Sequence, residues 1–144
     1  MKGLYWVICS LFLLNCSKES TGVDFDNKSD LIGTWLLIES YADPGDGSGK
    51  YRPVKSDRRM SFFDDGTYTS NASICSQGNE SDSEVVGAYE IGDENLSKYS
   101  SENVLIPQED CAFSDFRVVI YFEKDKLILS FPCIEGCGLK FRRL

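Results

Sequence analysis

Histidine is absent from the 144 residues, methionine occurs twice and proline four times. Without imidazole there is no Ser-His or Cys-His nucleophile pair, no His-ligated zinc and no imidazole general base. Positive charge is also scarce. Fifteen basic residues stand against 23 acidic ones, a net charge of −8, which repels nucleic acid and anionic lipid head groups. No stretch reaches the roughly 18 apolar residues that a membrane-spanning helix needs. No convincing helical pattern follows either, beyond room for one turn over Ser97 to Glu102. Carboxylate-only chemistry remains open, as in glycosidases, but the acids are scattered over turns and no pair stands out. The expectation is a protein that is not an enzyme, with no catalytic residue, no metal and no cofactor.

The beginning of the chain is the most telling part of what is present. Lys2 supplies a positive start, Gly3 to Leu14 is apolar, and Asn15-Cys16 follows. The pattern is a signal-peptide core followed at once by a thiol. It resembles the lipobox of bacterial lipoproteins, with Asn15 where Gly, Ala or Ser is usual. The resemblance implies cleavage before Cys16, acylation of that cysteine (a palmitate-class lipid) and attachment to the outer membrane. Ser17 is not the Asp that retains many such proteins in the inner membrane. The plainer alternative is an ordinary signal peptide cut a few residues later, with Cys16 an incidental thiol. Removing residues 1–15 takes away only Lys2 among the charged residues, so the net charge moves from −8 to −9. Residues 16–30 read as a flexible polar tether, and residues 31–144 as one domain with one core.

Cys9 falls in the signal segment. Cys75, Cys111, Cys133 and Cys137 remain, an even number in an oxidising compartment, which points to two disulfides. Of the three possible pairings the favoured one is Cys133–Cys137 with Cys75–Cys111, because Ile134-Glu135-Gly136 can turn a hairpin between facing strand ends. A four-thiolate zinc site is the competing reading, but its usual C-x2-C spacing is missing.

The rest of the chain reads as eight short strands. They begin with Leu31 to Ile38 and Arg59 to Phe63, then Thr67 to Ser73 and Val85 to Ile91. Asn103 to Ile106, Asp115 to Phe122, Lys126 to Phe131 and Leu139 to Arg143 complete the set. β-Branched and aromatic residues fill them, and turn signals such as Asp65-Gly66 separate them. Eight strands at this spacing predict an all-β, eight-stranded antiparallel barrel or sandwich. Barrel closure is preferred because it removes exposed strand edges.

Three segments carry a family likeness: Leu31-Ile32-Gly33-Thr34-Trp35, Met60-Ser61-Phe62-Phe63-Asp64-Asp65-Gly66-Thr67-Tyr68 and Val86-Gly87-Ala88-Tyr89-Glu90-Ile91. In this order they resemble the lipocalin-like domains of small bacterial lipoproteins. The likeness implies that Trp35 plugs one end of a lipocalin-like barrel, and that Arg142 or Arg143 from the last strand lies across its indole. It also implies a small hydrophobic ligand, for which Trp35, Tyr68, Tyr89 and Tyr121 are the candidate lining; the same aromatics would equally fill a packed interior.

Asp43-Pro44-Gly45-Asp46-Gly47-Ser48-Gly49 lacks the calcium-loop register, so it reads as a glycine-rich loop. Glu80, Asp82, Glu84, Asp93 and Glu94 read as a solvated face. Two functions are therefore expected, the first preferred and the second its alternative. One is a membrane-anchored binding module for a hydrophobic ligand. The other is a non-enzymatic interaction protein, an inhibitor or envelope-assembly subunit, contacting a protein partner through Asp43–Lys50 and Ser76–Ser83. A hollow interior favours the first, and a filled one with apolar side chains near the two loops favours the second.

Overall fold

Nine strands and one helical turn make up the computed structural model, which describes residues 28–92 and 103–144. Cys9, Cys16, the signal segment, tether residues 16–27, Asp93, Glu94 and the turn expected at Ser97 to Glu102 lie outside those residues. The strands are β1 (Gly33–Ala42), β2 (Lys50–Pro53), β3 (Arg59–Phe62), β4 (Thr67–Ser70) and β5 (Val85–Glu90). They continue with β6 (Asn103–Pro107), β7 (Val118–Glu123), β8 (Lys126–Ser130) and β9 (Cys137–Arg143).

All pairings are antiparallel: β1 pairs with both β2 and β3, each strand from β3 to β8 pairs with the next, and β9 returns to β1, with Trp35 opposite Arg143 and Ala42 opposite Cys137. The result is a closed eight-stranded antiparallel barrel. β2 is a ninth strand, not among the eight expected from the sequence. It continues along the same edge of β1 that β3 occupies, pairing Glu39–Ala42 with Pro53–Lys50. Residues 54–58 break that edge, and the Leu37 amide donates to the Arg58 carbonyl across the break.

Alternation decides which side chains fill the ring. Trp35 and Leu37, Met60 and Phe62, Leu127 and Leu129, and Leu139 and Phe141 point inward and are buried. At the β3–β4 turn, Asp65 accepts from both the amide and hydroxyl of Thr67. Gly66 takes the positive φ of 87° that this hairpin requires. β4 stops at Ser70, three residues short of the expectation. The Ser70 hydroxyl bonds both the amide and the carbonyl of Ala72, diverting the chain from the ladder. β7 begins at Val118 and not at Asp115, because Phe113 to Phe116 closes a turn first.

The helical turn α1 (Lys28–Leu31) starts inside the segment read as tether. Leu31 is buried, its carbonyl accepts the Trp35 indole N–H at 2.8 Å, and the Lys28 ammonium donates to the Asp64 carbonyl. The chain therefore enters the barrel at the end where β1 starts and β9 finishes.

Candidate functional site

The interior is the first place to look for a ligand. Trp35, Phe62, Tyr68, Leu105, Ile120 and Phe141 are each within 1 % of complete burial, and Tyr89 is nearly so. A lumen wide enough for a ligand leaves its lining reachable by water; here these side chains meet each other. Phe62 packs 5.5 Å edge-on against Tyr89 and 6.1 Å from Tyr68. Three of the four candidate lining residues, Trp35, Tyr68 and Tyr89, do face inward as expected. Tyr121 does not. It is 43 % exposed on the outer wall, between the inward-facing Ile120 and Phe122. The Tyr68 hydroxyl is buried without a partner, and burial raises its pKa above the usual tyrosine value. It lies so close over Gly87 that a Cβ there would sit 2.4 Å away.

At the entry end the arginine contact expected across the tryptophan is present, and Arg143 makes it. Its guanidinium lies 4.6 Å from the Trp35 ring centre and donates to the Ile32 carbonyl at 2.7 Å and to that of Asp30. Phe122 packs on the other side, 5.5 Å between ring centres. Trp35 is the structural plug of that end.

The opposite end carries the loops 43–49, 71–84, 108–117 and 131–136. The sequence-predicted bridges, Cys75–Cys111 and Cys133–Cys137, are both formed there, with Cα separations of 5.2 and 6.0 Å. The two loops expected to make contacts therefore belong to one surface. They are knitted together: a Cβ on Gly45 would touch the Glu135 carboxylate at 3.2 Å, and the Gln77 amide reaches Cys133 Sγ at 2.8 Å.

Each loop is held by polar contacts. The Asp43 carboxylate accepts the amides of Gly45, Gly47 and Gly49 at 2.9, 3.1 and 3.2 Å. Those donors, Gly45 foremost, hold its pKa below the usual aspartate value. The carboxylate that suggested a calcium ligand is thus spent on its own loop. Glu109 accepts the Ser73 hydroxyl and the Ile74 amide, both at 2.6 Å, and so seats the buried Ile74 in the barrel mouth.

Arg58 is the feature that sequence reasoning missed altogether. It is buried in the β2–β3 break, and its guanidinium donates to the carbonyls of Ser73, Ser76 and Gly78 at 2.9, 3.1 and 2.6 Å. Burial lowers its pKa to about 10, so it stays charged at neutral pH. Beside it lies a cleft of about 140 Å³, lined by Ser73, Glu80 and Asp82.

Two larger clefts are open, one of about 370 Å³ among Glu109, Cys111, Phe113 and Phe116, the other of about 700 Å³ on the outer wall over Thr34, Ser61, Thr69 and Val86. A second outer-wall feature is built on Tyr51 of β2. Lys140 lies 4.1 Å over its ring and pairs with Glu123 at 2.8 Å and Glu39 at 3.5 Å. The Tyr51 hydroxyl lies near Tyr121 and leans on Gly138, where a Cβ would be 2.9 Å away.

Exposed apolar side chains stand at both ends, Leu144 and Phe63 at the entry end and two at the loop end. Ile134, at the tip of the five-residue disulfide ring, is 98 % exposed, and Phe113 is 49 % exposed. Residues 43–50, 71–84, 108–117 and 131–136 hold nine acidic side chains against Lys50 and Arg117, a net of −7. The other described residues hold ten basic and eight acidic side chains, a net of +2. Fold and surface together define a packed, disulfide-pinned β-barrel with one polar, loop-bearing face. No protein-family model, curated protein or solved structure matches the chain.

Proposed function

We propose that the chain is a lipid-anchored, lipocalin-like barrel of the outer membrane that acts by contact, binding a protein partner through its loop end. One observation carries the choice between the two expected functions. The described interior is filled by Trp35, Phe62, Tyr68, Tyr89 and Phe141, while apolar Ile134 and Phe113 stand exposed among the loops. Filling counts against carriage of a hydrophobic ligand, and fixed loops with exposed apolar side chains favour an interface. The point of attachment fits the same reading: α1 enters the barrel at the end opposite the loops, so an anchor at Cys16 joins the domain away from the loop face.

Two measurements test the reading. Cys16→Ser releases the protein from the membrane fraction; a variant that stays bound removes the anchor. Native mass spectrometry of protein taken from its own envelope then shows a stoichiometric protein partner. A retained small molecule of fixed mass would instead restore ligand carriage.

A further inference from the structure

Resting on the reading of the loop end as a protein-contact face, we infer that Ile134 is its anchor, and that the partner is a basic protein surface surrounding a small apolar socket. Ile134 is offered in a way that single exposed apolar residues usually are not. It sits at the apex of Cys133-Ile134-Glu135-Gly136-Cys137, a ring closed by a disulfide, with Gly136 at a φ of 79° making the return. The ring is braced from both sides: Gln77 contacts Cys133 and Gly45 adjoins Glu135. An aliphatic side chain held this way has lost little further freedom when it enters a socket, so most of its burial counts toward affinity. Around it the loop segments carry a net of −7, while the other described residues, the buried Arg58 included, carry +2. Asp43 and Glu109 are engaged by their own loops, but Asp46, Glu80, Asp110, Asp115 and Glu135 are exposed. A surface of this sign steers and selects a partner of opposite sign, and repels nucleic acid and anionic lipid equally.

The test uses the full-length chain in the cells that make it, with the photo-crosslinking substitution Ile134→benzoylphenylalanine. The expected product is a crosslink to one protein, at a peptide set in a lysine- and arginine-rich surface. Its yield falls about tenfold in the Asp46→Lys/Glu135→Lys double variant and on raising salt from about 0.05 to 0.5 M. Lys126→Glu, at the other end, leaves the yield unchanged. Purified Ile134→Ser, competing against the unaltered protein for the identified partner, binds roughly ten- to a hundredfold more weakly. A crosslink to a protein whose yield ignores both salt and charge reversal overturns the basic partner and leaves the contact reading standing. Crosslinking to a protein from Phe113 but not from Ile134 overturns the anchor. If neither position captures anything but lipid, the inference and the contact reading fall together.

Discussion

The two ends of the barrel are closed by different physics. At the entry end, Trp35 is enclosed by Phe122, Leu31 and the Arg143 guanidinium, a small apolar cluster finished by one cation–π contact. At the loop end the segments DPGDGSGK and CSQGNESDS have almost nothing apolar to bury, although Ile74, just before the second, is buried in the mouth. Order there comes from two disulfides, the Asp43 carboxylate, Glu109 and the Arg58 guanidinium. Burial fixes an end by hiding it. Cross-linking fixes an end while leaving it in view, which is what a contact surface requires.

Three perturbations sharpen this contrast. Trp35→Ala should cost the most, about 3–5 kcal/mol in urea unfolding, since it opens a cavity and strands Arg143. Removing Cys75–Cys111 by paired serine substitution should cost about 4 kcal/mol on the loop-entropy model, and removing Cys133–Cys137 about 2 kcal/mol, before any native strain is subtracted. If the short bridge proves the more costly of the two, the entropic account of the loop end is wrong. The smallest effect is acid loosening of residues 43–49. The Asp43 pKa is depressed in the fold, so its hold on the loop is complete above the ordinary aspartate value of 3.8 and is lost as pH falls through the lower folded value. The Gly45, Gly47 and Gly49 amide resonances should move over that window while those of Leu127 and Leu129 stay put; joint movement would mean the loop and the ring melt as one.

The ring was legible in the sequence because alternation is a local signal. Met60-x-Phe62, Leu127-x-Leu129 and Leu139-x-Phe141 each declare an inward face without help from the rest of the chain. The cysteine pairing was legible because four thiols leave few choices and a three-residue spacer suits a turn. Tyr121 was misplaced although parity was available: with Ile120 and Phe122 turned inward, the residue between them must face out. β2 escaped because Tyr51-Arg52, between Gly49 and Pro53, has no pattern of its own. Its place is set by Tyr41, Lys140 and Tyr121, far away in sequence. Arg58 was invisible for the same reason, since its partners are carbonyls 15–20 residues downstream and any residue type can supply a carbonyl.

That arginine makes the wall and the loop above it a single lever. Any binder that displaced residues 73–78 would have to drag the barrel edge along or leave a buried charge without its carbonyl partners. Both moves are expensive, so the loop is met as it stands: recognition there is by fit to a finished shape, with little remodelling after collision.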